Sequence, residues 1–289
     1  GLNIIPVKNI CDAIAYLEQK REILPYSPGV WGKNIDKKQE PDIDFSDIKG
    51  QENIKRALEI AVAGGHNCLM IGTPGTGKTM AARRIPTIMP DMTLEESLEV
   101  TKIHSIAGLL PSGGSLVSSR PFRMPHHTIS EASLAGGGAM PIPGEISLAH
   151  YGVLFLDEIT EFRKESLETL RQPLEDGQIT ISRLNYSVTY PARFMLVGSM
   201  NPCPCGYYGL PESNCTCTPL QIQRYMRKIS GPLLDRMDIF IEVMPLQYGD
   251  LESEKQGERS EKIKERVNKA RMRQLERYRH MGVFFNSQM

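Results

Sequence analysis

Gly72-Thr73-Pro74-Gly75-Thr76-Gly77-Lys78-Thr79 is a complete G-x-x-x-x-G-K-T loop, and its neighbours decide its meaning. Asn67-Cys68-Leu69-Met70-Ile71 before it is a short apolar run suited to a buried strand, and Met80-Ala81-Ala82-Arg83-Arg84 after it opens a helix. Strand, glycine-rich turn and helix in that order make a phosphate cradle. The glycines let backbone N–H groups turn inward and the helix N-terminus adds positive dipole. Lys78 can reach the β and γ phosphates, and Thr79 can hold Mg²⁺. The loop from Gly72 to Thr79 is therefore expected to bind ATP with Mg²⁺.

Working outward, Phe45-Ser46-Asp47-Ile48-Lys49-Gly50-Gln51 leads into an amphipathic helix over 52–63. This segment is expected on the adenine side, with Ile48 and Gln51 as nucleotide contacts. Three further apolar strands are predicted over 152–156, 193–198 and 238–243. Uniformly apolar strands separated by helices predict an α/β fold whose parallel sheet is covered on both faces.

The second strand ends in Asp157-Glu158, two carboxylates delivered beside the phosphate loop. Asp157 is expected to support Mg²⁺ together with Thr79, and Glu158 to polarise the water attacking the γ phosphate. An acidic turn after a core strand is the plainer alternative. Asn201, past the third strand, is placed to sense the γ phosphate, although Asn before Pro202 is also a common turn former. Arg236 precedes the fourth strand and is expected to act on a neighbouring subunit's γ phosphate, the alternative being a partner in Asp235 or Asp238.

Four longer strings carry a resemblance. They are Arg120-Pro121-Phe122-Arg123-Met124-Pro125-His126-His127-Thr128, Pro143-Gly144-Glu145-Ile146-Ser147-Leu148-Ala149-His150, Asn201-Pro202-Cys203-Pro204-Cys205-Gly206 and Ser230-Gly231-Pro232-Leu233-Leu234-Asp235-Arg236. With the phosphate loop they resemble the AAA+ ATPases, and within them the magnesium-chelatase-like branch of ComM/YifB type. The resemblance implies a three-layer α/β/α P-loop core with a helix-2 insert, a β-hairpin before the sensor strand, and a helical lid. It also implies a homo-hexameric ring, hydrolysis of Mg-ATP between subunits, and a DNA motor promoting branch migration. A metal-chelatase motor remodelling a partner protein shares this core, and a nucleotide-gated scaffold without useful turnover is a third reading. On this basis residues 1–40 are read as the end of a preceding domain plus linker, 41–246 as the ATPase core and 247–289 as the start of a truncated lid. The chain reads as a piece of a longer protein.

Composition agrees with a soluble α/β protein. The 289 residues are 40% hydrophobic and 24% charged with a net charge of zero, so any nucleic-acid contact must be regional. No apolar run approaches membrane-spanning length. Lys78 and Asp157 stand 79 positions apart, room for an inserted segment in which Arg120, Arg123, His126 and His127 could meet phosphates. Adjacent His126 and His127 could alternatively be a metal pair. A hairpin is predicted over 178–190 with Arg183 at its turn, a candidate DNA contact or an ordinary charged tip. Cys203, Cys205, Cys215 and Cys217 form C-x-C, nine residues, C-x-C, which leaves zinc, reduced thiols and disulfides open. Six cysteines beside a nucleotide loop, with no secretion signal, point to a reducing cytoplasm. Between Lys262 and Arg279 stand eight basic and two acidic residues, either a partner contact or a solvated helix face.

Overall fold

The computed structural model describes residues 4–7, 9–25, 43–110, 116–138, 141–183, 186–209, 215–245, 257–279, 281 and 285–288. The chain divides into two compact units, Gly1–Gln39 and Glu40–Met289. In the first, α1 covers Ile10–Leu17, with the Asn9 side chain accepting from the Asp12 N–H at 2.9 Å. The sequence predicts a longer helix, to about residue 23, after a short strand. No strand is found over residues 4–7, and the helix ends early because Gln19 turns left-handed and the Ala15 carbonyl accepts from both Lys20 and Arg21 N–H.

In the second unit the elements run α2 (Glu52–Gly64), β1 (Cys68–Gly72), α3 (Lys78–Ile88), α4 (Leu94–Ile106), β2 (Phe122–Arg123), α5 (Glu131–Ala135), β3 (Gly136–Gly137), β4 (Ile142–Pro143), α6 (Glu145–Leu148) and β5 (Val153–Leu156). There follow α7 (Lys164–Glu168), α8 (Arg171–Asp176), β6 (Gln178–Arg183), β7 (Tyr186–Pro191), β8 (Met195–Met200), α9 (Pro219–Met226), α10 (Gly231–Leu234), β9 (Ile239–Val243) and α11 (Ser260–Arg277). Five strands form one sheet in the order β2-β5-β8-β1-β9, every pairing parallel. Parallel strands need crossovers, so all their C-terminal ends open on the same rim, and that rim carries the phosphate loop.

Strand periodicity sorts the core into two faces. Cys68, Met70, Val153, Phe155 and Val197 join Leu58, Ile85, Ile263 and Val267 on one side, beneath α2, α3 and α11. Leu69, Leu154, Leu156 and Leu196 join Leu134, Ile146, Leu167 and Leu233 on the other. Adjacent strand residues thus bury in opposite layers, which produces the three-layer α/β/α arrangement. Fully burying one such side chain, Phe155 for example, stabilises the fold by about 1.5–3 kcal/mol.

The predicted strands exist, with shifted ends. The third starts at Met195 rather than 193, because the Arg193 N–H donates to His150 Nδ1 at 3.0 Å and its carbonyl accepts from Tyr151 N–H at 2.6 Å. Those groups are spent on a turn and do not enter the ladder. Between β2 and β5 the inserted segment holds α5, the two-residue pair β3–β4 and α6. The β6–β7 hairpin precedes β8 as predicted; Arg183 pairs opposite Tyr186 in register, and its side chain lies outside the described residues. Helix α11 docks on the core: Arg266 pairs with Glu59 at 2.7 Å, and Gln274 Nε2 donates to the Ala63 carbonyl at 2.8 Å. Among the described residues, no helix is long and apolar enough to cross a membrane.

Candidate nucleotide site

The rim is built from the ends of β1, β5 and β8. After β1 the chain turns through Gly75 and Gly77, at φ +80° and +85°, a region that side chains with a Cβ resist. A Cβ at Gly75 would meet nothing within 4 Å, and Gly75 is exposed, so only its backbone angle calls for glycine there. Thr76 Oγ1 donates to the Thr73 carbonyl at 2.8 Å and braces the turn. Pro74 stands exposed at the crest.

Lys78 opens α3 and is 8% exposed. Its ammonium donates to the Gly72 and Thr73 carbonyls at 2.7 and 2.8 Å and reaches Asn201 Oδ1 at 3.4 Å. Burial pushes its pKa below the ordinary lysine range, while the Asp157 and Glu158 carboxylates pull the other way. An anionic phosphate in the cradle would answer that desolvation directly.

Thr79 Oγ1 donates to Asp157 Oδ2 at 2.7 Å, although 78 positions separate them. The other oxygen, Asp157 Oδ1, accepts from Ser199 Oγ at 2.5 Å, and Ser199 Oγ in turn accepts from the Glu158 N–H at 3.0 Å. Ser199 is a site residue that the sequence reading misses. Its signal was one hydroxyl in an otherwise apolar strand, where a buried polar group needs a partner. Glu158 has φ +51° and ψ +51°, a left-handed conformation costly for a residue with a side chain, and its carboxylate is exposed. The two sequence-adjacent carboxylates thus differ: Asp157 is tied to Thr79 and Ser199, and Glu158 is exposed.

The Thr79 hydroxyl and Asp157 carboxylate form the hard oxygen pair that Mg²⁺ takes alongside substrate phosphates, so this rim fits the metal as well as the nucleotide. Asn201 follows β8, and the Tyr225 hydroxyl accepts from Thr160 Oγ1 at 2.7 Å. Thus Lys78, Thr79, Asp157 and Asn201 are brought together.

Ile48 and Gln51 lie beside β9. Ile48 is 2% exposed and packs in the core with Phe45 and Leu58, whereas Gln51 Nε2 donates to the Met244 carbonyl at 2.6 Å. Their segment is held by Arg84, which bonds Asp47 Oδ2 at 2.7 Å and the Asp44 carbonyl at 3.0 Å.

Three of the outlying arginines are already partnered. Arg236 pairs with Glu175 and donates to the Pro232 carbonyl at 2.6 Å; its carboxylate partner is neither Asp235 nor Asp238. Arg123 makes a bidentate pair with Glu145, both contacts at 2.6 Å. Arg120 is clamped by Glu96 at 3.0 Å and by the carbonyls of Pro90 and Tyr151 at 2.5 and 2.7 Å, so it does not face phosphate as expected. The His126 and His127 rings lie 4.1 Å apart and tilted by 34°, with His126 Nδ1 on Thr128 Oγ1 at 2.9 Å. The four loop sulfurs of Cys203, Cys205, Cys215 and Cys217 all lie within 4.8 Å of one another.

Comparison with known proteins places the chain in a family. The family described as magnesium chelatase, subunit ChlI, matches residues 44–251. YifB of Escherichia coli is 49% identical over 246 residues, covering 84% of this chain and 48% of that protein. The competence protein ComM of Haemophilus influenzae is 47% identical over 246 residues, covering 85% of this chain and 48% of that protein. The chain thus spans about half the length of these relatives. A solved structure of the BchI–BchD complex of magnesium chelatase aligns with a TM-score of 0.49 and 22% identity over 81% of this chain and 70% of that one. The chain belongs to the magnesium chelatase ChlI family of AAA+ ATPases, with YifB and ComM among its relatives.

Proposed function

We propose that this chain is the ATPase core of a Mg²⁺-dependent, ring-forming motor that acts on DNA. The observation that carries the ATPase reading is the convergence of Lys78, Thr79, Asp157 and Asn201 from three strand ends on one rim. Loop N–H groups and Lys78 hold the phosphates. Ile48 and Gln51 flank the base, and Thr79 with Asp157 holds the metal. When bound, Mg²⁺ neutralises charge developing on the phosphate oxygens. Glu158 accepts a proton from the attacking water. Asn201 hydrogen-bonds the γ phosphate. Arg236 leaves Glu175 to reach a neighbouring subunit's site. Residues 41–246 form the core and 247–289 open the lid.

The DNA assignment is supported by similarity to a competence protein, and the hairpin tip at Arg183 is its candidate contact. A second reading, a motor remodelling a partner protein as in metal chelation, is favoured by the family description itself. Steady-state ATP hydrolysis with and without single-stranded and forked DNA, beside Lys78→Ala, separates them. Stimulation by DNA that is lost in Lys78→Ala supports the DNA motor. Hydrolysis indifferent to DNA transfers the assignment to a protein remodeller, and no hydrolysis leaves a nucleotide-gated scaffold.

A further inference from the structure

The segment between β8 and α9 contributes four cysteines that the nucleotide chemistry does not use. All four are free thiols, and their sulfurs converge: Cys203 to Cys205 at 3.3 Å, Cys203 to Cys215 at 3.8 Å, Cys205 to Cys215 at 3.6 Å. A tetrahedral Zn²⁺ with Zn–S bonds near 2.3 Å sets its ligand sulfurs about 3.8 Å apart, and the three contacts above span 3.3–3.8 Å. A disulfide would need about 2.05 Å. Sulfurs that stay within 4.8 Å of one another enclose one ion, whereas a bridged cluster would spread its ligands over two metals.

Local backbone geometry serves the same end. The Cys203 carbonyl accepts from the Gly206 N–H at 3.0 Å, closing a turn that puts Cys203 and Cys205 on one side. The Tyr208 N–H donates to Cys203 Sγ at 3.4 Å, a bond that stabilises a thiolate. Cys203 is fully buried, but the other three are only half-buried, so apolar packing alone does not force the sulfurs together. The donor set is soft and four-fold, which selects zinc among redox-inert ions.

We propose that Cys203, Cys205, Cys215 and Cys217 bind one structural Zn²⁺, releasing their thiol protons to solvent, and that this zinc knuckle positions the nucleotide rim. The link is physical. Gly206 sits at φ +88° against the phosphate loop, and a Cβ there would meet Pro74 Cδ at 2.7 Å. Asn201 lies two residues before Cys203, and α9, on the far side of the knuckle, carries Tyr225, whose hydroxyl accepts from Thr160 Oγ1 in the turn after Glu158. The metal therefore closes a loop that begins beside Asn201, runs on into the helix bonded to Thr160, and has its turn against Pro74. This positioning role rests on the nucleotide reading; the metal site does not.

The test is elemental analysis of the chain purified without chelators, followed by binding of a fluorescent ATP analogue. We expect one zinc per chain, retained in Cys11→Ser and lost in the double variant Cys215→Ser, Cys217→Ser. Zinc withdrawal from the wild-type chain with a thiol-reactive mercurial and chelator should weaken analogue binding by at least about tenfold, with reversal by thiol and Zn²⁺ but not by Mg²⁺. Gly206→Ala should keep its zinc and lose affinity. Metal-free protein, or iron in place of zinc, overturns the site even if the double variant fails to fold, because the wild-type content decides it. Full zinc with analogue binding unchanged on its removal overturns the positioning role alone. Absence of analogue binding from zinc-loaded wild type counts against the nucleotide reading, on which that role rests, and leaves the metal site standing.

Discussion

The nucleotide rim and the basic segment from Arg120 to His127 are both rich in charged and polar groups, yet they use them in opposite ways. At the rim, Lys78, Thr79, Asp157 and Asn201 bond to one another and to the phosphate loop from three separate strand ends. In the basic segment the guanidiniums turn inward: Arg120 serves Glu96 and two carbonyls, and Arg123 serves Glu145. A local excess of arginine is thus no measure of ligand binding until its internal partners are known. Those partners lie 24 and 22 residues from their arginines, beyond the reach of a local motif.

The sharpest way to break the contrast is Glu158→Gln. It should leave ATP affinity intact and slow turnover by about 10²–10⁴-fold, measured by single-turnover hydrolysis. Undiminished turnover would remove Glu158 from the chemistry and make the rim no more than a binding surface. Next, Arg120→Ala leaves Glu96 without its buried partner and strips donors from the Pro90 and Tyr151 carbonyls, and should cost about 3–5 kcal/mol in denaturant unfolding. A near-neutral result with weakened DNA binding would instead restore Arg120 as a phosphate contact.

Lys78 supplies a pH test. Burial lowers its free-state pKa, and a bound phosphate would raise it. Affinity for nucleotide should therefore be complete below the free-state value and fall as pH rises through it, by at most about tenfold per unit. The fall should begin below the ordinary lysine range, and a flat alkaline profile would show that the ammonium is not the phosphate's partner. The smallest effect is expected at Arg123, whose side chain is 31% exposed and that of Glu145 21%. Arg123→Ala should cost about 1 kcal/mol or less and leave DNA affinity unchanged in a fluorescence-anisotropy titration.

The core of the rim was legible because its parts are local: one eight-residue loop, one carboxylate pair after an apolar strand, one Asn after another. The fold class followed from four apolar runs of strand length. Three things were not legible. Strand β2 spans only Phe122–Arg123, too short to show any periodicity. Ser199 works through contacts 41 and 42 residues away in the chain, at Glu158 and Asp157. The pairing of Arg236 with Glu175 joins a helix end to a helix that the sequence does not announce, since Arg171–Asp176 contains a proline and only six residues.

The most direct test of the account is a titration of the purified chain and of Lys78→Ala with a fluorescent ATP analogue, with and without Mg²⁺. The account predicts saturable, Mg²⁺-strengthened binding by the wild-type chain and a loss of about tenfold to a hundredfold in the variant. Equal affinity in the two proteins, or binding indifferent to Mg²⁺, would contradict the assignment of this rim as a Mg-ATP site.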